Sequence, residues 1–345
     1  MLRKCFIIAL LCLGKGGLGL LCAQTPQRTS LSLMGSAFSF TAIHESDTLA
    51  WEAIQAGIAE VQRIEALISS WNPSSQTSLV NRMAGKQPVK VEQELFNLIR
   101  RALKVAELTG GAFDPTFAAI DQVWAFDGSM TALPTAEAVA RSVEKIDYKK
   151  VILKQEDTTV YLSESGMKIG FGAIGKGYAA NRAKQIMRGM GIHSGLVNAG
   201  GDLIAWGTKG QEQDWQIGIA DPQNHEQIVA WLNINGLAVV TSGDYERFVM
   251  IDGLRYGHII DPRTGYPAKG LSSVSILCPD AELADALATA VFVMGREKGL
   301  PLINQLRGIE ALLITDEGEI LKSKQLQLQE QSSEKGVEAT IGGKN

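Results

Sequence analysis

Gly195-Leu196-Val197-Asn198-Ala199-Gly200-Gly201-Asp202-Leu203-Ile204-Ala205-Trp206-Gly207 is the stretch that decides the fold class. Two short apolar runs, 195–198 and 203–207, read as strands on either side of a polar, glycine-rich island. The same texture fills the second half of the chain, with further strands at 151–153, 160–162, 215–220, 229–234, 237–241, 247–251, 272–277 and 311–315. Helical patterns interrupt at 177–188, 283–294 and 297–305. Strands that follow strands, with helices in separate groups, predict an α+β fold rather than an alternating parallel sheet.

Upstream, 31–43 reads as a strand interrupted by Met34-Gly35-Ser36. Residues 49–69 carry Ile54, Ile58, Val61, Ile64, Leu67 and Ile68 at helical spacing. Trp71-Asn72-Pro73-Ser74-Ser75 is a turn cluster. A second helix over 93–108 ends at Gly110-Gly111, as a glycine C-cap does, and a third runs over 135–145. No internal repeat is present.

The chain has 345 residues, enough for one large or two modest domains. Its hydrophobic share of 45% and charged share of 20% exclude a disordered chain. With 33 Lys+Arg against 37 Asp+Glu, the net charge of −4 argues against a protein that grips nucleic acid by neutralising phosphates. The 36 glycines follow no collagen-like period and belong to turns and close backbone approaches.

Residues 1–23 predict a secretory signal. Arg3 and Lys4 precede an apolar stretch that Lys15 breaks too early for a spanning helix, and the segment ends at Cys22-Ala23. Removing these residues takes away Arg3, Lys4 and Lys15, moving the net charge from −4 to −7. Cys5, Cys12 and Cys22 go with the signal, so Cys278 is left without an internal disulfide partner. Cys22 also permits a lipoprotein reading, although the bulky Leu21 before it fits lipid processing poorly. A buried N-terminal helix is the alternative to export. Residues 24–321 then form the folded domain, and the Gln-, Ser-, Glu- and Lys-rich 322–345 reads as a poorly ordered tail.

Between 170 and 180 lies Gly170-Phe171-Gly172-Ala173-Ile174-Gly175-Lys176-Gly177-Tyr178-Ala179-Ala180, placed between a strand and a helix. It matches the P-loop spacing, but Gly177 stands where a Ser or Thr hydroxyl would meet magnesium. It also approximates a dinucleotide fingerprint, but Asn198 ends the next strand where an acidic residue would bind ribose. What survives is a glycine corner, a helix N-terminus and a lysine, which together attract phosphate. A tight packing corner explains the glycines equally well.

Three polar islands sit at strand ends: 198–202, Thr241-Ser242-Gly243-Asp244-Tyr245, and His258-Ile259-Ile260-Asp261-Pro262-Arg263-Thr264-Gly265. Each can aim side chains into a cleft, or can be an Asx-type turn. His258 is the histidine flanked by such groups; His44, His193 and His225 read as surface or turn residues. Asp285 and Thr289 share one face of an otherwise apolar helix, one turn apart, and their hard oxygens suit magnesium. The same Asp equally fits the satisfaction of free amides at a helix N-terminus.

Taken in order, Met34-Gly35-Ser36, Gly111-Ala112-Phe113-Asp114-Pro115, 172–179, 198–202, Ser242-Gly243-Asp244-Tyr245, 258–265 and Ala284-Asp285-Ala286-Leu287-Ala288-Thr289-Ala290 resemble the FAD:protein FMN transferases, the ApbE-type flavin transferases. The resemblance runs from Met34 to about Leu321. It implies mixed, largely antiparallel sheets with peripheral helices, in two entwined subdomains around a flavin-binding crevice. It also implies a periplasmic, Mg2+-dependent enzyme whose substrate is FAD. FMN would pass to a threonine or serine of a partner protein, a membrane electron-transport subunit being the usual kind, with release of AMP. Carried over by position, the metal ligands are Ala173, Asp285, Ala288 and Thr289. FAD contacts are Met34, Trp71, Ala112, Phe113, Asp114, Lys176 and Ile259, and proton transfer falls to His258 with Asp244 assisting. Gly170 replaces the family's usual Asp, and Trp71 its usual Tyr. Relatives with a changed adenine pocket resemble FAD pyrophosphatases, and an exported FAD-binding protein without catalysis is the remaining alternative.

Overall fold

The computed structural model describes residues 25–209, 213–224, 226–328 and 340–341. The expected signal, Cys22, His225 and most of the tail therefore lie outside the described residues. Hairpin β1 (Gln27–Leu33) and β2 (Ser36–Ile43) opens the fold. The single interrupted strand expected at 31–43 is thus two antiparallel strands, and the interruption is their turn: Met34 and Gly35 have φ of 50° and 70°. Two positive-φ residues give the turn a twist that matches its flanking strands.

Helix α1 (Asp47–Ile68) follows, capped by Ser46, and then α2 (Gln76–Arg82), capped by Ser75. Next come β3 (Val89–Lys90), α3 (Gln93–Leu108), a 3-10 segment Pro115–Val123, α4 (Ala136–Val143), β4 (Val151–Lys154) and β5 (Thr159–Leu162). Strands β3, β5 and β4 pair in that order as a small sheet. The chain re-enters the main body through α5 (Gly175–Gly189), β6 (Ser194–Ala199) and β7 (Asp202–Trp206). Strands β8 (Trp215–Ala220) and β9 (Ile228–Ile234) pair separately, as do β11 (Phe248–Ile251) and β12 (Leu254–Gly257), with β10 (Ala238–Gly243) between the two pairs in sequence. The remainder is β13 (Leu271–Cys278), α6 (Ala281–Met294), α7 (Arg296–Ile303), β14 (Glu310–Thr315), β15 (Ile320–Lys322) and β16 (Thr340–Ile341).

Eight strands form the main sheet in the order β1-β2-β6-β7-β10-β13-β14-β15, every neighbour antiparallel. Alternate residues of its central strands feed two cores. Ile204, Val240, Ile276 and Leu313 join α1, α5 and α6 on one face, while Leu203, Val239, Leu277 and Leu312 meet β8 and β9 on the other. Covering both faces explains why β13 is buried at every position, including Ser272, Ser273 and Ser275, and why apolar residues follow one another instead of alternating. The larger core also takes in α3 and the β3-β5-β4 sheet. The α+β expectation holds, and the excursion between β2 and β6 shares its core with the sheet that it leaves and rejoins.

Three details depart from the sequence reading. The glycine corner is preceded by an extended, unpaired stretch, not a strand; it is tied down by Asn81, whose side chain bonds both the N–H and the carbonyl of Ile169. Order continues past Leu321, since Ser323 and Leu326 are buried and Ser323 bonds Ala311. Elements α2, β3 and β12 carry too few residues for a periodic pattern to reveal them.

Candidate functional site

Asp285 and Lys176 form the centre of the site. The alternative role of Asp285 as the cap of its own helix is taken by Asp280, whose carboxylate accepts from the Leu283 N–H. Asp285 lies one turn further in and is 3% exposed; its Oδ2 accepts from the Gly177 N–H of α5 at 3.0 Å. It therefore caps a neighbouring helix that has no side-chain cap of its own. This requires the two helices to touch. A Cβ on Gly177 would sit 2.1 Å from the Ala281 carbonyl oxygen and 2.9 Å from the Asp285 Cβ. The P-loop hydroxyl is missing because the helix packing leaves no room for it.

Lys176, the next residue, forms a close ion pair with Asp202, and its Nζ lies 3.8 Å from Asp285 Oδ1. Asp202 is 2% exposed. Burial pushes the Asp202 carboxyl well above the usual carboxylate range, the Asp285 charge adds to this, and Lys176 opposes it. Burial raises Asp285 as well, against Lys176 and the Gly177 amide. Burial works against the Lys176 charge, but the two carboxylates outweigh it and hold the ammonium above its ordinary value. Thr289 stands a turn beyond Asp285, with its Oγ1 3.4 Å from Ser242 Oγ at the end of β10. Ala288, beside it, is fully buried, and Ala173 lies two residues before α5. Among the described residues no group of three or more His, Cys, Asp or Glu converges. The donor set is instead carboxylate, hydroxyl and backbone carbonyl, with a surplus of negative charge, and such a set fits Mg2+, which keeps much of its shell for water and phosphate.

Around this centre the other expected residues fall into two groups. Met34, in the β1–β2 turn, has its Cε 3.6 Å from where a Gly175 Cβ would be, and Ile68 of α1 is closer still at 3.0 Å. Trp71 follows three residues after Ile68 and is 90% exposed, an aromatic face available for stacking. The Ala112-Phe113-Asp114 segment docks on the same corner, because Gly170 donates to the Pro115 carbonyl at 2.9 Å. Asp114 is buried and accepts from the Thr116 N–H and hydroxyl and from the Tyr148 N–H. A Cβ at Gly170 would lie 2.8 Å from that of Ala118, so the Asp usual in the family cannot be accommodated here without movement.

The second group stands at the base of the β11–β12 hairpin. His258 Nδ1 lies 3.2 Å from the Arg247 carbonyl, and its ring meets Phe126 edge-on. A carbonyl only accepts, so Nδ1 carries the proton and Nε2 is the basic nitrogen. Asp244 accepts from Arg255 at 2.7 Å through Oδ2, while its Oδ1 is buried without a hydrogen-bond partner. Burial raises the Asp244 carboxyl, and Arg255 counteracts this. Gly257 packs against Asp244, bringing that residue beside the one preceding His258. Ile259 is buried in the main core. Two of the polar islands also serve turns: Asn198 caps the Gly201 N–H, and Asp261 binds the N–H and guanidinium of Arg263.

Asp202, Ser242 and Glu246 are the residues that the sequence reading left unassigned. Asp202 was visible as the last residue of a strand-end island, but only the fold shows that it faces Lys176. Glu246, exposed in the turn after β10, adds negative potential at Lys176.

Comparison with known proteins bears on the family and the fold. Residues 34–313 match the model of the ApbE family. An FAD:protein FMN transferase of Treponema pallidum is 38% identical over 280 residues, covering 76% of this chain and 77% of that protein. One from Klebsiella pneumoniae is 31% identical over 296 residues, covering 85% and 90%. Among solved structures, the ApbE protein of Thermotoga maritima superimposes with a TM-score of 0.81 at 33% identity, over 87% of this chain and 97% of that one. The apo flavinyl transferase ApbE of Pseudomonas stutzeri gives 0.78 at 25% identity, over 88% and 96%.

Proposed function

Since the chain belongs to the ApbE family, we propose that it is a Mg2+-dependent FAD:protein FMN transferase working at the Lys176–Asp285 corner. The observation that carries this reading is the meeting of Lys176 with the buried carboxylate of Asp285 at a glycine-lined corner, a cation beside a metal-binding oxygen, as a diphosphate with its counter-ion requires. In the reaction an acceptor threonine or serine Oγ attacks the FMN phosphorus. The bond to the AMP phosphate breaks, the acceptor holds FMN in phosphoester linkage, and AMP departs.

Asp285, Thr289 and the carbonyls of Ala173 and Ala288 would hold Mg2+. Bound there, the ion would offset charge developing on the phosphate oxygens. Lys176 orients the diphosphate, since the Gly175, Gly177 and Tyr178 amides at the start of α5 are already bonded to Phe171, Asp285 and Ile174. Met34 offers apolar surface to the rings and Trp71 its open face, Ala112, Phe113 and Ile259 are packed in the core behind them, and Asp114 positions the 112–116 segment through its own bonds. His258 Nε2 takes the proton of the attacking hydroxyl, and Asp244 fixes the hairpin that carries it. The basic and apolar order of residues 1–23 supports export to the periplasm, with a lipid anchor at Cys22 as the variant form. The acceptor would then be a protein facing that compartment, such as a membrane electron-transport subunit.

Incubation with FAD, Mg2+ and a threonine-bearing acceptor, followed by intact mass, tests the proposal. The acceptor should gain FMN, and Asp285→Ala should abolish the gain. Free FMN and AMP with an unlabelled acceptor would identify a pyrophosphatase instead, and intact FAD a carrier.

A further inference from the structure

Asp202 and Asp285 are 2% and 3% exposed, and the cation paired with both is Lys176. Two carboxylates and one ammonium leave a net negative charge in a place of low dielectric. Without Lys176 the same pocket would hold two buried like charges, an arrangement that proteins tolerate poorly. The lysine side chain is itself 24% exposed, so its ammonium has a route outward along a flexible stem. Asp285 meanwhile keeps its other oxygen, Oδ2, on the Gly177 amide. The oxygen nearest Lys176, Oδ1, is therefore the one that a metal ion would need.

We propose that Lys176 is the internal counter-ion of the metal site. In the ion-free protein its ammonium neutralises Asp285 from an anchor on Asp202. A divalent cation arriving at Asp285 displaces it, and the freed ammonium turns to the diphosphate that enters with the ion. Asp202 is thus a positioning residue: it parks Lys176 within reach of the site and takes it back when product leaves. The inference rests on the metal assignment proposed above and adds an ordered exchange of cations at one carboxylate.

Calorimetric titration of FAD-free protein with MgCl2 at constant ionic strength tests this without reference to turnover. Lys176→Met removes the competitor and should tighten Mg2+ binding at least tenfold. Asp202→Asn leaves Lys176 wholly to Asp285 and should weaken it by a similar factor. Opposite signs from two touching residues are what a merely structural role would not produce. Should Lys176→Met fail to fold, Asp202→Asn still decides the point. Equal Mg2+ affinity in wild type and variants would overturn the exchange while leaving the metal site standing. Absence of Mg2+ binding in every protein, with FAD binding retained, would overturn the metal assignment and the exchange with it.

Discussion

Replacing Gly177 with alanine adds one methyl group at the point where α5 meets α6. That Cβ would lie 2.1 Å from the Ala281 carbonyl oxygen, 2.6 Å from its carbon and 2.9 Å from the Asp285 Cβ. A carbon normally approaches a carbonyl oxygen no closer than about 3.3 Å, so the helices must part by roughly 1 Å. Two of the atoms met are backbone of a fully buried helix start, and they cannot rotate away. Overpacking of this kind costs about 1–3 kcal/mol, and weakening the Gly177 N–H to Asp285 bond adds about 1–2 kcal/mol. At about 2–4 °C per kcal/mol for a large domain, the melting temperature should fall by roughly 4–20 °C. Gly172→Ala is the control in the same loop, because its Cβ would meet nothing within 4 Å and its φ is ordinary. It should melt within about 2 °C of wild type, since surface changes of this kind stay inside about 0.5 kcal/mol. Differential scanning calorimetry of both variants settles the matter. If Gly177→Ala melts with wild type, α5 and α6 are not held in this contact and the derivation of the site fails.

Three further outcomes follow from the geometry. His258→Gln should lower the transfer rate by about 10²–10⁴, the usual contribution of a general base, while FAD affinity measured by fluorescence quenching stays unchanged. Trp71→Ala should leave the melting temperature within experimental scatter, because the ring is 90% exposed, but should weaken FAD binding; equal affinity would remove Trp71 from the flavin site. Glu60 and Glu94 have carboxyls held below their ordinary 4.5, first by hydrogen bonds from Arg63. Their contribution is therefore present above that value and is lost as pH falls through it into the lowered range. The Glu60→Gln/Glu94→Gln double variant should show a shallower loss of melting temperature than wild type between about pH 5 and pH 3.

Much of the fold was legible because its signals are local. The period of α1 and α3, the glycine stop after α3 and the strands from β4 to β14 other than β12 can each be read within a dozen residues. The pieces left out are those set by tertiary contact. Helix α2 has seven residues and owes its start to the Ser75 cap, and the 27–30 half of β1 is polar at every position and is held by pairing with β2. In the site, Lys176, Asp285 and Thr289 stood out because polar residues at fixed spacing interrupt apolar or glycine-rich runs. Asp202 did not, since a strand-end Asp after Gly-Gly is indistinguishable from a turn residue until the β6–β7 hairpin brings it to Lys176. Gly170 looked like a missing ligand, but its place against Ala118 shows that the corner is packed around its absence.

The central claim is that FAD is split by transfer to a protein hydroxyl, not to water. It is tested most directly by quantifying, in one reaction with Mg2+ and an acceptor protein, the AMP released and the FMN bound to the acceptor. One FMN should be bound per AMP released until the acceptor is exhausted, and no AMP should form when its threonine is replaced by alanine. AMP production that continues undiminished with that acceptor variant would contradict the claim.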